Sequence, residues 1–216
     1  MRRTAMRRIF MRRTTIFLAG LVLVFLFLLS LAATAQEERS EISLQGTDFF
    51  TKSASGNGTA YSTTETGGFL STYRYHLNRW ISAEAAYGYD LNTQKYLFSS
   101  SAFRIQSGIH QATGSVVLNL PSRVTWRLSP YVLAGGGALV FNPVGNQFNT
   151  VSGAQTQAKG AFVYGAGVNY GITKRLSLRA EYRGLVYGTP YFGFGALSTN
   201  SLTHTMQPSV GFTFRF

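Results

Sequence analysis

The sequence predicts an all-β fold, an eight-stranded antiparallel up-and-down transmembrane β-barrel, from three observations. The chain ends on a strand with one apolar face, where Val210, Phe212, Phe214 and Phe216 alternate with Ser209, Gly211, Thr213 and Arg215. That is the period of two of an extended chain. Seven earlier segments of roughly ten residues alternate in the same way, and the connections between them are by turns short and long. An even number of such strands, tight turns on one side and long polar loops on the other is the pattern of a chain crossing a bilayer repeatedly.

Composition supports lipid as the solvent of the apolar face. In water an aromatic terminal strand needs a covering layer, or it pairs and aggregates. Only 13% of residues are charged, aromatics reach 14%, and there are 23 Gly against 5 Pro; strands that alternate between lipid and lumen have this make-up. A soluble ligand barrel of the lipocalin kind would turn its apolar side chains inward. Here that would overfill the lumen with aromatics or leave the charged set inside.

The formal charge of +12 is misleading, because six of the positive charges are Arg2, Arg3, Arg7, Arg8, Arg12 and Arg13. Met1 to Thr15 is a basic stretch, Ile16 to Leu31 an almost unbroken apolar run, and Ala33-Thr34-Ala35 a small-residue cleavage site. Together they predict a cleaved signal peptide over residues 1–35 and one barrel domain over 36–216. The competing reading is a retained anchor, since Ile16 to Ala35 is long enough to cross a bilayer of about 30 Å. Arg7-Arg8-Ile9-Phe10 resembles a twin-arginine signal, but that route exports folded proteins and a barrel crosses the inner membrane unfolded. The remaining basic residues are scattered and form no stripe or module for nucleic acid. With no Cys, disulfides and thiolate metal sites are excluded.

The predicted segments are Ser40 to Thr51, Gly67 to Leu77, Trp80 to Tyr89, Gly108 to Leu120, Pro130 to Phe141, Gly160 to Ile172, Leu176 to Tyr187 and His204 to Phe216. In the first, Ile42, Leu44 and Phe50 share a face that Asp48 interrupts. In the second, Phe69, Tyr73, Tyr75 and Leu77 oppose Arg74 and His76. In the third, Ile81, Ala83, Ala85, Tyr87 and Tyr89 oppose Ser82, Glu84 and Gly88. In the fifth, Tyr131, Leu133, Leu139 and Phe141 are in phase across the glycines. Asn78-Arg79, Pro121-Ser122-Arg123 and Thr173-Lys174-Arg175 make the short connections. The long ones, about residues 52–66, 90–107, 142–159 and 188–203, face outward, and the tight turns and both chain ends face the periplasm. Trp80 and Trp126 then sit at the periplasmic interface, where amphipathic rings are favoured.

The ending Gly-Phe-Thr-Phe-Arg-Phe resembles the last strand of bacterial outer-membrane barrels, and the stretch GAGVNYGITKRLSLRAEYRGLVYG, residues 165–188, resembles the penultimate hairpin of the outer-membrane protein A-like barrel family. The specific resemblance covers the last third of the chain beyond the signal. It implies location in the bacterial outer membrane and a role for Phe212, Phe214 and Phe216 as an assembly signal. It also implies partners in the barrel-assembly machinery and in outer-membrane lipid and lipopolysaccharide. No peptidoglycan-binding domain follows, so the family's cell-wall anchoring is not implied.

Residues with chemical potential are few. Gly165, Gly167 and Gly171 superficially resemble a phosphate loop, but they lie inside an alternating strand and open no helix. Their expected role is to leave room in the lumen beside Arg179, Glu181 and Arg183, as Ala134 and Gly136 do from the fifth strand. Lipid A-modifying enzymes of similar size exist, and their chemistry needs a Ser, a His and a carboxylate together. His76, His110 and His204 are isolated in the sequence, so no catalytic, cofactor or metal residues are expected.

Arg74, Glu84, Arg179, Glu181 and Arg183 all fall on the inward side; the distances of the first four from the short turns agree within roughly 7 Å at 3.3 Å per residue, and Arg183 sits higher, as a cap. They are expected to form one charged cluster closing a lumen that side chains can fill. Function is then expected in the barrel as a structural membrane component, or in loops that bind an extracellular ligand. A narrow solute channel and a lipid A-modifying enzyme are the alternatives.

Overall fold

The computed structural model describes residues 39–98, 101–121, 127–145, 149 and 153–216. Trp126 and the expected signal peptide 1–35 lie outside the described residues. Among the described residues ten strands form, in chain order: β1 (Ser40–Thr51), β2 (Ala54–Gly56), β3 (Thr59–Thr63), β4 (Thr66–His76), β5 (Ile81–Phe98), β6 (Ser101–Asn119), β7 (Leu128–Pro143), β8 (Gln157–Gly171), β9 (Leu176–Gly188) and β10 (Leu202–Arg215). Eight of them make a ring. Neighbours run β5-β4-β1-β10-β9-β8-β7-β6, and β6 pairs back onto β5. Closure leaves no strand edge in the ring, so the backbone polar groups are satisfied without water. The first and last barrel strands seal it, from Glu41 opposite Arg215 to Thr51 opposite Thr205.

Two short connections owe their geometry to one side chain each. The Asn78 Oδ1 accepts the backbone N–H of Trp80 and of Ile81, both at 2.8 Å. The Thr173 hydroxyl accepts the N–H of Arg175 at 3.3 Å and of Leu176 at 3.0 Å. Such side chains imitate a backbone turn, which lets four residues reverse the chain.

The opposite end departs from expectation. Residues 90–107, read from sequence as a polar loop, are mostly strand: β5 has 18 residues and β6 has 19, against the roughly 9–11 that cross a bilayer. The two strands therefore continue beyond the lipid as a projecting hairpin. The first long connection contains the β2–β3 hairpin, and β3 adds to the far end of β5, with Thr59 opposite Phe98 and Thr63 opposite Gln94.

The lipid face is apolar as predicted. Leu44, Phe69, Tyr73, Ile81, Tyr87, Val116, Leu118, Phe162, Tyr170, Phe212 and Phe214 are all exposed, as is Trp80 beside the β4–β5 turn. The arginines and glutamates of the interior lie toward the short turns, and toward the long loops buried polar side chains such as Asp90, Gln94 and Thr205 share the interior with apolar ones. On β9 the inward series runs Arg179, Glu181, Arg183, Leu185, Tyr187, from charged to apolar. Phe49, Ile105, Ile109, Leu139, Phe141, Val163, Leu185 and Tyr187 pack a hydrophobic core in the half nearer the long loops. The fifth barrel strand, β7, is the correction. Tyr131, Leu133, Leu139 and Phe141 point inward, while Ala134 and Gly136 face out and leave no space in the lumen. Both faces of β7 are apolar, so alternation could not say which was inside.

Candidate functional site

Three strands bring charges into one row. The register sets Glu41 of β1 beside Arg74 of β4, and Arg74 beside Glu84 of β5. From the far wall β9 presents Arg179, Glu181 and Arg183. All six side chains are buried, none more than 4% exposed. Arg74 lies 2.7 Å from Glu84, 3.3 Å from Glu41 and 3.7 Å from Glu181. Arg183 Nε donates to Glu181 at 2.5 Å, and its Nη2 donates to Glu84 at 2.7 Å. Arg179 pairs with Glu41, approaches Glu84 to 3.6 Å and donates from Nε to Asn169 at 2.8 Å.

Three guanidinium groups thus meet three carboxylates, so the layer carries no net charge. Buried ions are tolerated when paired and hydrogen-bonded in this way. Tyr131 completes it: its hydroxyl donates to Glu181, and the Arg74 guanidinium stacks 4.1 Å from its ring centroid. A Cβ on Gly167 would stand 2.5 Å from the tyrosine's Cζ, so glycine there makes the room for the ring. Gly165 and Gly167 do face inward, opposite Arg183 and Glu181.

Glu41 and Tyr131 were missed in the sequence. Glu41 carried a signal, because Ile42 and Leu44 face out and put it inside, next to Arg74 in register. Tyr131 carried none, since an aromatic on a doubly apolar strand reads as lipid-facing.

A second closure lies at the long-loop end. The segment between β9 and β10 folds back over the mouth through a 3-10 turn at Gly195–Leu197. Phe192 and Leu197 are buried there. Phe192 adopts φ +52° and meets Tyr96 and Phe141 edge-on, at centroid distances of 6.5 and 6.3 Å. A left-handed backbone is costly for a bulky residue, and the aromatic seat holds it. The segment is tied to the projecting hairpins: Thr59 donates to the Ala196 carbonyl at 2.9 Å, Tyr96 to Pro190 at 2.7 Å and Ser201 to Ser55 at 3.0 Å.

The histidines are not isolated in space. His76 Nδ1 is 2.8 Å from the Ser82 hydroxyl, and its Nε2 is 3.3 Å from Glu41. A serine, a histidine and a carboxylate in sequence invite comparison with a hydrolytic triad. Two facts oppose that use. Ser82 is fully buried and its oxygen also accepts from Asn119 Nδ2 at 2.9 Å. Glu41 is shared among Arg74, Arg179 and Arg215. His110 and His204 lie on the outer face, bonded to Tyr87 at 2.8 Å and Tyr164 at 2.9 Å. Rings of this kind suit the lipid boundary, with an apolar body and a polar tip.

Residues 21–216 match the family model described as the outer membrane protein beta-barrel domain. The chain belongs to this family. It is a bacterial outer-membrane β-barrel, and its structural neighbours agree. OprG of Pseudomonas aeruginosa is similar with a TM-score of 0.56 at 13% identity, over 82% of this chain and 96% of that one. Neisserial surface protein A gives 0.55 at 15%, over 81% and 97%. AlkL, solved in lipid bilayers by solid-state NMR, gives 0.52 at 17%, over 85% and 92%. At these identities the likeness is one of fold. Among curated proteins no sequence matches this outer-membrane barrel significantly.

Proposed function

We infer that this outer-membrane barrel is a closed body that works through its outward face, binding a molecule outside the cell, rather than a pore. The observation that carries the reading is the platform at the long-loop end. The β2–β3 hairpin, the projecting part of β5 and the 189–201 segment are hydrogen-bonded to one another. A purely structural wall component needs no such ordered superstructure, whereas binding surfaces are built on loops fixed by a rigid scaffold. Lys95 and Arg104 stand opposite each other on it, both exposed, which favours an anionic ligand such as the phosphates of lipopolysaccharide or an acidic glycan. The ionic layer supports the closed state. The exposed Phe212 and Phe214, with Phe216 after them, support recognition by the barrel-assembly machinery.

Two measurements test this. Purified protein in planar bilayers should give no steady current. Cysteine replacing exposed Glu65 should react with an impermeant reagent on whole cells, whereas one replacing Lys174 should not. Cross-links from position 65 should depend on residues 53–63. A large stable conductance, with cross-links indifferent to that hairpin, would favour the narrow channel instead.

A further inference from the structure

The inner wall formed by β4, β5 and β6 carries a carboxylate outside the ionic layer. Asp90 is fully buried, and neither of its oxygens has a hydrogen-bond partner among the described residues. The arginines of the layer are engaged by Glu41, Glu84 and Glu181. Asp90 leans over Gly68, its register partner on β4, where a Cβ would stand 2.1 Å from Oδ1. Around it on the same wall are further unpartnered buried atoms. Thr66 lies two residues beyond Gly68 and Ser107 is opposite Asn92, and each keeps an unpartnered hydroxyl oxygen; Gln111, opposite Gly88, keeps only its Nε2, a donor, its oxygen accepting from Gln207. Gln94 keeps both of its side-chain polar atoms and extends the polar strip toward the long loops.

A buried carboxylate without a counter-charge is strongly unfavourable, so either a proton removes its charge or a cation balances it. A proton would leave the neighbouring oxygens without a role. A hard cation uses them, because carboxylate, hydroxyl and amide oxygens are its preferred ligands. The other carboxylate that acts on Asp90, Asp48 of β1, is exposed, so a single buried carboxylate is left to match one positive charge, and no group of three or more His, Cys, Asp or Glu that could hold a metal ion occurs among the described residues.

We propose that Asp90 holds a monovalent cation, sodium or potassium, on the inner barrel wall, with Thr66 and Ser107 supplying neutral oxygens. The site is separate from the ionic layer and does not depend on what the outward face binds.

The test uses protein extracted from outer membranes and unfolded in urea at equal ionic strength in sodium, potassium or N-methylglucamine chloride. The midpoint should be higher in sodium or potassium; at ten times the dissociation constant the folded-to-unfolded ratio should rise roughly tenfold. Asp90→Asn should abolish that difference, and Glu65→Gln, at an exposed carboxylate, should keep it. If Asp90→Asn does not fold, Ser107→Ala should weaken the cation dependence. Equal midpoints in all three chlorides would overturn the proposal. So would a carboxylic-acid carbonyl stretch in the infrared spectrum that disappears in Asp90→Asn, because the proton would then have taken the cation's place.

Discussion

Arg183 of β9 reaches across the barrel to Glu84 of β5, with Nη2 2.7 Å from Oε1. In the eight-membered ring these strands stand four apart whichever way the circuit is followed, so the ion pair joins opposite walls. A contact of this kind spans the lumen. Glu84→Ala would leave Arg74 and Arg183 each short of a carboxylate, at a cost of about 3–5 kcal/mol if burial stays complete. We expect a lower urea midpoint for this variant and current fluctuations in planar bilayers that the native protein lacks. A silent, equally stable Glu84→Ala barrel would remove the ionic layer from any role in closure.

Phe192 anchors the segment that covers the mouth. Truncating a buried Phe to Ala costs about 3–5 kcal/mol in a packed core. Here the loss falls on a loop, so it should appear locally. Phe192→Ala should make residues 189–201 sensitive to proteinase K on intact cells, while the heat-modifiable mobility of the barrel stays unchanged. Equal resistance in both proteins would show that the hydrogen bonds to Ala196, Pro190 and Ser55 hold the segment without the ring.

Gly167 and Gly160 lie on the same strand and separate a steric effect from a propensity effect. A Cβ at Gly167 strikes Tyr131, whereas one at Gly160 meets nothing within 4 Å. Gly167→Ala should displace the ring from Glu181 and destabilise by about 1–3 kcal/mol, the usual cost of overpacking. Gly160→Ala should be neutral or slightly stabilising. Equal unfolding midpoints for the two variants would contradict the packing of Tyr131.

The export segment is tested by mass alone. Intact protein from membranes should lack Met1 to Ala35 and begin at Gln36. A mass that includes the first 35 residues would make the apolar run 16–31 an anchor.

The strand order and the inward direction of Arg74, Glu84, Arg179, Glu181 and Arg183 were legible in the sequence, because lipid accepts only every second side chain and so writes a period of two. Where that contrast vanished, the reading failed. On β7 both faces are apolar, and only packing shows Leu139 and Phe141 inside. In residues 90–107 both faces are largely polar, so a strand leaving the membrane looked like a loop. Alternation also assigns a side of the sheet without saying which side chains meet across the lumen. The meeting of Arg183 with Glu84, the place of Glu41 and Tyr131 among the charges, and the seating of Phe192 against Phe141 depend on register and closure. Those are settled by hydrogen bonding between strands far apart in the chain, and only the tertiary structure decides them.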